Sequence, residues 1–385
     1  MDKKVFREEF YKYYQREADF FYRAPARINL IGEHSDYNGG YVLPCAIDKY
    51  IYALVGLRND RIINLRSLNF KFYKEQSLDD LDYKKENEWQ NYLLGCFDLL
   101  IKKGYKIDRG LDILVESDIP VASGLSSSAA ILDLMLFILN DIFKLGLSLE
   151  EIALYAKDVE NNYCGLRCGI MDQAVIALGK KDKALLLDCA NFKYTYENIH
   201  IKNCCFVVLN TNKPRGLLSS KFNERVDECH QALKELKKYY PINTICDLKE
   251  DDLERVKDKI KDNLYHRVKH VLSEQRRVLE FVRALEDGDI DKLGSILNES
   301  HQSLRDDFEV SCEQLNVITD AAKEFGALGS RMTGAGFGGC AIALVPIEII
   351  PEFISKVEEK YYSLTGIKGS VFAVNTSDGP VNIRI

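Results

Sequence analysis

A run of small and hydroxyl-bearing residues supplies the clearest chemistry in the chain. Residues 122–130 read Ala-Ser-Gly-Leu-Ser-Ser-Ser-Ala-Ala, between a strand-like run at 111–115 and an apolar helical run at 131–143. Small residues let the backbone approach a ligand closely, and the first turn of the following helix offers unpaired N–H groups to an anion. The segment predicts a phosphate-binding loop. Simple helix capping by its serines is the alternative, because serine is favoured at helix N-termini.

A second glycine-rich segment has the spacing of a dinucleotide-binding fingerprint at Gly334, Gly336 and Gly339. That fingerprint requires a strand before the loop and a helix after it. Residues 340–346 read instead as a short strand closed by proline. We therefore interpret the segment as a loop between two strands, which is either a plain tight turn or a place where a ligand or another backbone approaches closely.

The elements that would hold these loops indicate an α+β fold in two domains that share a cleft. Aromatic residues at helical spacing predict an amphipathic N-terminal helix, and the region 216–300 has helical periodicity almost throughout. Strand-like runs occur at 20–31, 41–57, 62–72 and 326–345. A chain of 385 residues is long for a single core. We place the domains at 1–195 and 196–385, as mixed sheets with helices on one face and the active site in the interdomain cleft.

Composition and charge limit the classes of function. A formal net charge of −7 argues against nonspecific nucleic-acid binding, and we interpret the basic residues of 266–277 as a solvated helix face because Glu274 interrupts them. No stretch approaches the roughly 18 apolar residues that span a bilayer. The N-terminus lacks the plan of a secretory signal, so we expect a cytoplasmic protein with no membrane partner. Eleven cysteines, an odd number, favour reduced thiols over a disulfide framework.

Three segments, in this order and spacing, resemble the three motifs of the GHMP small-molecule kinases. They are residues 24–40 (APARINLIGEHSDYNGG), 124–130 (GLSSSAA) and 331–339 (RMTGAGFGG). The first segment is similar to the galactokinase signature in particular. Shorter matches at 89–92, 168–173 and 303–309 extend the likeness over nearly the whole chain. The resemblance implies the two-domain GHMP kinase fold, with ATP and a sugar in the cleft.

On the sugar side, the resemblance implies contacts from Glu33, His34, Ser35, Asp36, Gly169 and the position of Phe222. Carboxylates and a histidine in a turn can form several oriented hydrogen bonds to a polyol. The alternatives are an acidic turn that stabilises its own backbone and a histidine that only packs. Phe222 departs from the family pattern, which has a tyrosine whose hydroxyl contacts the sugar. Either Lys221, Asn223 or water replaces that contact, or the sugar differs from galactose at this corner.

On the nucleotide side, the resemblance implies that the triphosphate lies against Ala122, Ser123, Gly124, Leu125, Ser126, Ser127 and Ser128. It implies that Ser67, Trp89 and Tyr92 lie near the adenine, with simple core packing as the alternative for Tyr92. Ser128 and Glu160 would bind Mg²⁺, because this ion prefers hard oxygen ligands and often takes only one or two from protein. Without the resemblance, Glu160 would be interpreted as a surface glutamate.

The implied reaction is transfer of the γ-phosphoryl group of MgATP to the C1 hydroxyl of α-D-galactose, which gives galactose 1-phosphate and ADP. Asp172 would accept the hydroxyl proton, and Arg27 would hold Asp172 ionised and neutralise charge on the transferring group. A structural Arg–Asp bridge is the alternative for that pair. Two other functions stay open: a kinase for a related hexose, 6-deoxy or N-acetyl sugar, and a noncatalytic sensor of sugar and ATP. We expect a monomer.

Overall fold

The computed structural model describes residues 1–120, 123–199, 201–213 and 218–384, without the side chains of 218–220. Its helices are α1 (Lys3–Tyr14), α2 (Gln90–Lys102), α3 (Ser127–Phe143), α4 (Leu149–Asp158), α5 (Met171–Leu178), α6 (Leu218–Leu236), α7 (Glu250–Glu254), α8 (Asp262–Asp287), α9 (Ile290–Asp306), α10 (Glu313–Glu324) and α11 (Ile350–Thr365). Its strands are β1 (Phe20–Asn29), β2 (Tyr41–Val42), β3 (Pro44–Leu57), β4 (Ile62–Ser67), β5 (Glu75–Ser77), β6 (Leu111–Ser117), β7 (Lys183–Asp188), β8 (Lys193–Asn198), β9 (Cys204–Asn210), β10 (Gly329–Met332), β11 (Cys340–Pro346), β12 (Ser370–Ala373) and β13 (Val381–Ile383).

The larger sheet has six strands in the order β13-β1-β3-β6-β4-β5, and only the β4–β6 pair is parallel among its described pairings. Alternate residues of a strand point to opposite faces, so each face packs on a different layer. Helices α3 and α5 contact one face. Helix α1 covers the other face with Phe6 and Phe10, which pack with Phe21 and Leu54. The predicted N-terminal amphipathic helix is thus confirmed.

A four-stranded antiparallel sheet in the order β10-β11-β9-β12 organises the C-terminal half. Along β9, Val207 and Leu209 belong to one core, whereas Phe206 and Val208 belong to the core of the N-terminal sheet. Helices α9, α10 and α11 contact this sheet, and α6 packs on α8. A three-stranded sheet, β2-β7-β8, completes the strands described. The architecture is α+β, as the sequence predicts.

Two interpretations of the sequence have clear outcomes in this fold. The glycine-rich segment 333–339 joins strands β10 and β11, so the rejection of a dinucleotide fingerprint is confirmed. The solvated-face interpretation of 266–277 holds for Lys269 and Arg276, which are exposed, but is wrong for Arg267, His270 and Arg277, which are buried in α8 with Glu274. The charges are buried because they have buried partners, for example the Glu274–Arg277 ion pair. A sequence pattern does not reveal such partners.

The predicted division at 195/196 falls inside β8, and the C-terminal strand β13 pairs with β1 of the N-terminal sheet. The chain therefore ends on the sheet with which it begins, and the domain limits stay a prediction. Within the described residues, no helix combines the length and the apolar character needed to cross a membrane.

Candidate active site

Asp172 lies where the N-terminus of α3 meets a polar cavity. Its carboxylate accepts two parallel hydrogen bonds from Arg27, at 2.7 Å from Nε and 2.8 Å from Nη2. The Ser126 hydroxyl donates to the same carboxylate. Arg27 is almost fully buried, and its Nη1 also donates to the Gly124 carbonyl oxygen at 2.7 Å. The strand residue Arg27, the loop before α3 and the first turn of α5 are thereby fixed together around one carboxylate.

The cavity beside Asp172 has a volume of about 290 Å³, and we call it the polar cavity because charged side chains contribute to its lining. Of the residues predicted on the sugar side, five line it together with Arg27 and Asp172: Glu33, His34, Asp36, Gly169 and Phe222. Ser35 is fully buried and is not among the lining residues. A Cβ atom at Gly169 would overlap the Asp36 carboxylate, so only glycine fits there. The lining also includes Tyr37, Arg167, Cys168 and Asn223.

A second cavity, of about 160 Å³, lies on the other side of the start of α3. It is lined by Ser67, Trp89, Tyr92, Ser127 and Ser128, all predicted on the nucleotide side. Its wall is mostly apolar, as suits a planar base, and its aliphatic residues are Ile51 and Val115 of the large sheet, Ile119 from the segment after β6, and Ile131 of α3. Phe70 stacks on Trp89 with ring centroids 6.3 Å apart. Sequence analysis did not predict Phe70, Asn69 or these aliphatic residues, because their spacing carries no motif.

The loop between the two cavities has the backbone conformation of a ligand site. Ser126 precedes the first turn of α3 with φ of 62°, a left-handed conformation that non-glycine residues rarely adopt. Its side chain makes no capping hydrogen bond, and its hydroxyl donates to Asp172. The first N–H groups of α3 are therefore left open to an anion. The Ser123 hydroxyl accepts from Leu125 N at 3.4 Å, and Ala122 lies outside the described residues.

Glu160 is buried next to this loop and not on the surface. It lies in a π-helical turn, Val159–Tyr163, that continues α4, and such turns are frequent at functional sites. Burial raises the pKa of Glu160, and hydrogen bonds from Ser128, Cys168 and Gln173 oppose that rise. The Gln173 amide donates to Glu160 at 2.5 Å. Ser128 and Glu160 are thus neighbours, as two ligands of one cation must be.

Burial also sets the charge states in the polar cavity. The pKa of Asp36 rises to about 7, first because the carboxyl is desolvated and next because Asp172 lies nearby. Burial lowers the pKa of His34 to about 3, so the imidazole is neutral at physiological pH. The cavity therefore contains one carboxylate that titrates near neutrality and one neutral histidine. This combination offers both donors and acceptors to a polyol.

Residues of the C-terminal half hold the turn that carries Glu33 and His34. Arg331 donates to Glu33 at 3.0 Å, and the Gly334 N–H donates to the same oxygen at 2.8 Å. Glu274 accepts from the Gly32 N–H at 3.0 Å, and His270 contacts the Glu33 carbonyl oxygen at 3.1 Å. Sequence analysis missed these supports, since each partner lies more than 200 residues away along the chain.

Three family models match the chain. The galactokinase galactose-binding signature matches residues 8–57, the GHMP kinases N-terminal domain matches 91–180, and the GHMP kinases C-terminal model matches 281–363. The galactokinase of Clostridium perfringens strain 13 is 44% identical over 387 residues and covers 100% of both chains. The galactokinase of Bacillus subtilis strain 168 is 40% identical over 374 residues and covers 96% of both chains.

Solved structures give the same result at the level of the fold. The structure of Lactococcus lactis galactokinase complexed with galactose superimposes with a TM-score of 0.95, at 37% identity and 99% coverage of both chains. A mevalonate kinase structure has a TM-score of 0.68 at 21% identity, covering 94% of this chain and 100% of that one, which shows a shared fold alone. The full-length identities are with galactokinases, and the galactose-binding signature covers Glu33, His34 and Asp36. Both findings distinguish the chain from the other kinases of this fold. The chain belongs to the galactokinase family of GHMP kinases.

Proposed function

We propose that the protein transfers the γ-phosphoryl group of ATP to the C1 hydroxyl of α-D-galactose, giving galactose 1-phosphate and ADP. The observation that carries this proposal is the position of Asp172, which borders the polar cavity and also accepts a hydrogen bond from the loop before α3. A sugar in the polar cavity and a triphosphate on the loop would both lie beside this carboxylate. The alternative substrates and the noncatalytic sensor are disfavoured, because the relatives are galactokinases along their whole length.

Asp172 would accept the proton of the attacking hydroxyl, and Arg27 fixes the position of the Asp172 carboxylate. Both carboxylate oxygens accept from Arg27, and one also accepts from Ser126, so the side chain has a single orientation. The bidentate arginine aligns the carboxylate, which suits orientation of the hydroxyl and acceptance of its proton. Phosphoryl transfer depends mainly on positioning and on charge stabilisation. Arg27 also contributes positive charge beside the loop that would hold the γ-phosphate.

Ser128 and Glu160 are the residues that would hold Mg²⁺. The donor set fits, because both supply hard oxygen atoms and the Glu160 carboxyl is buried where a cation would offset its desolvation. Among the described residues, no group of three or more His, Cys, Asp or Glu side chains could hold a metal ion by itself. The ion would therefore share its coordination with phosphate oxygens and water. When bound, Mg²⁺ neutralises negative charge on the phosphates.

The sugar would be held by the turn at Glu33 to Asp36 and by the backbone at Gly169. Glu33 already accepts three hydrogen bonds within the protein, from Arg331, Gly334 and Asn29. Asp36 has the more available carboxylate of the two, and His34 brings a ring nitrogen. Phe222 supplies an apolar ring at the same wall. The protein would discriminate between sugars through hydrogen bonds from their hydroxyls to Asp36 and His34, and through packing of the sugar ring against Phe222.

The test is a coupled assay of ADP release with α-D-galactose, other hexoses, a 6-deoxy hexose and N-acetylated hexoses as acceptors, and ³¹P NMR identifies the product. We expect galactose to have the highest kcat/KM and the product to be the 1-phosphate. Turnover with another sugar but not with galactose would contradict the substrate, and tight binding without ADP release would contradict the reaction. We also propose a cytoplasmic monomer, and light scattering after size-exclusion chromatography tests the oligomeric state.

A further inference from the structure

We propose that Tyr37 is a positioning residue for sugar recognition. Its hydroxyl donates a hydrogen bond to Nδ1 of His34, and this bond fixes the tautomer in which Nε2 carries the proton and presents it to the sugar cavity. The inference rests on the proposed role of His34 as a sugar ligand, and neither the family signature nor the motif spacing assigns any role to Tyr37.

The geometry holds the His34 ring in one orientation. Its Nδ1 lies 2.8 Å from the Tyr37 hydroxyl oxygen. The ring packs between two phenylalanines, with its centroid 4.6 Å from that of Phe308 and 6.0 Å from that of Phe222. Its Nε2 atom is buried and has no protein partner among the described residues. His34 and Tyr37 both line the cavity, and Nε2 is the ring nitrogen of His34 that the protein leaves unpaired beside it.

The direction of the hydrogen bond follows from the partners of each group. Among the side chains that the structure describes, the Tyr37 hydroxyl bonds only to His34. If His34 donated from Nδ1, both the phenol proton and the Nε2 lone pair would lack a protein partner, whereas donation by Tyr37 leaves only the Nε2–H group without one. Tyr37 therefore donates. Burial keeps the phenol protonated and the imidazole neutral, since it raises the pKa of Tyr37 and lowers that of His34 to about 3. The single imidazole proton is then on Nε2.

A fixed tautomer makes His34 a hydrogen-bond donor to a sugar oxygen. Asp36 also lines the cavity, and its carboxylate can only accept when it is ionised. His34 would therefore donate to one sugar hydroxyl, and Asp36 would accept from another. Without the Tyr37 hydroxyl, His34 would exchange between tautomers, and part of the population would offer a lone pair where the sugar needs a proton. The loss would appear in sugar affinity and not in the phosphoryl-transfer step.

The first test measures the tautomer and needs no turnover. The protein has six histidines, and ¹⁵N labelling of their rings with a His34→Gln variant for assignment identifies the His34 signals. We expect a pyrrole-like Nε2 and a pyridine-like Nδ1 in the wild type, and a mixture of the two tautomers in Tyr37→Phe. A protonated Nδ1 in the wild type would overturn the proposal, whether or not any sugar is phosphorylated.

The second test is a double-mutant cycle on galactose kinetics. Tyr37→Phe keeps the ring and should raise KM about tenfold while kcat stays within about threefold. In the His34→Gln background the same change should have little further effect, because Tyr37 acts through His34. Tyr22→Phe is the matched control: it removes another buried hydroxyl, which donates to Asp141 at 2.8 Å, and should leave KM unchanged.

Additive effects in the cycle, or a fall in kcat at unchanged KM, would overturn the positioning role. Thermal melting of each variant separates a folding defect from a binding defect, and the wild-type tautomer measurement decides the matter if Tyr37→Phe does not fold. Absence of turnover by the wild type with every sugar would instead contradict the proposed function and leave the tautomer result standing.

Discussion

Two arginine–carboxylate pairs place their carboxylates at the polar cavity, and they differ in how far the carboxylate is exposed. Arg331 and Glu33 are 0% and 2% exposed, and Glu33 also accepts from the Gly334 N–H and from Asn29. In the Arg27–Asp172 pair, Arg27 is 4% exposed but Asp172 is 29% exposed. The first pair joins two halves of the chain at the site. The second pair leaves one carboxylate, that of Asp172, accessible to a ligand in the polar cavity.

The difference shows that the same ion pair can be structural or reactive according to its remaining contacts. A buried carboxylate whose acceptor sites are filled holds a turn in place, and it would lose that role if it moved toward a ligand. A carboxylate that is aligned by a bidentate arginine but open on one side can accept a proton or orient a hydroxyl. Substitutions at the two pairs should therefore separate stability from turnover.

The largest expected effect is on stability, in Arg331→Met. Arg331 donates to Glu33 and to the carbonyl oxygens of Leu30, Asn29 and Met332, so its removal takes a charged donor from one buried carboxylate and three carbonyl groups. We expect a loss of about 3–5 kcal/mol in the free energy of unfolding, measured by urea titration. Arg61→Met is the control, because the Arg61–Asp79 pair is exposed and should contribute little to stability. Equal losses in the two variants would contradict a structural role for the Arg331–Glu33 pair.

The next effect is on turnover, in Asp172→Asn. The amide keeps the size of the side chain but removes the charge and the acceptor for the sugar proton. We expect kcat to fall by about 10²-fold or more in the coupled ADP assay, run at a temperature at which calorimetry shows that the variant is folded. Asp79→Asn is a matched control, because Arg61 also donates to Asp79 through Nε and Nη2. Near-normal turnover in Asp172→Asn would remove Asp172 from the chemistry.

A smaller effect depends on pH and concerns Asp36. Burial and the neighbouring Asp172 raise its pKa to about 7, so the folded state holds this proton more tightly than the unfolded chain does. The free energy of unfolding of the wild type should therefore fall as pH rises from about 4 to about 7. Between pH 5 and pH 8, the free energy of unfolding of Asp36→Asn should increase by about 2 kcal/mol relative to that of the wild type. The KM for galactose should fall over the same range in the wild type only, because ionised Asp36 accepts sugar hydroxyls. Parallel stability curves for the two proteins would contradict this account.

The sequence predicts the α+β class, the loop at 123–128 and the turn at 33–36, because short motifs and periodicity depend on local residue types. It does not predict how these segments are held. Arg331 and Glu33 are 298 residues apart, and Glu274 lies 242 residues from Gly32. Polar residues on a helix suggest a solvent-exposed face unless their buried partners are known, which is why the interpretation of 266–277 as solvated is wrong for Arg267, His270 and Arg277.

Backbone conformation is the other part that the sequence does not reveal. Serine has no preference for the left-handed conformation, yet Ser126 adopts it, and this conformation directs its hydroxyl to Asp172. Similarly, nothing in Val159–Tyr163 predicts the π-helical turn that contains the buried Glu160. Both features cost energy locally and depend on tertiary contacts. The resemblance to a known family identified Ser126 and Glu160 as site residues, but it did not give their backbone conformations.

The smallest expected effect concerns the apolar ring in the lining of the cavity, in Phe222→Tyr. The Phe222 ring lies 5.8 Å from that of Tyr37 and lines the sugar cavity, so the added hydroxyl either pairs with a sugar hydroxyl or stays unpaired. We expect pairing, with the KM for galactose lowered about threefold to tenfold and kcat unchanged, in the ADP assay. Phe70→Tyr, at the other cavity, should leave the galactose KM unaltered. A higher KM in Phe222→Tyr would mean instead that the sugar packs on the bare ring and that this wall selects by shape, which would leave recognition of hydroxyls to Asp36 and His34.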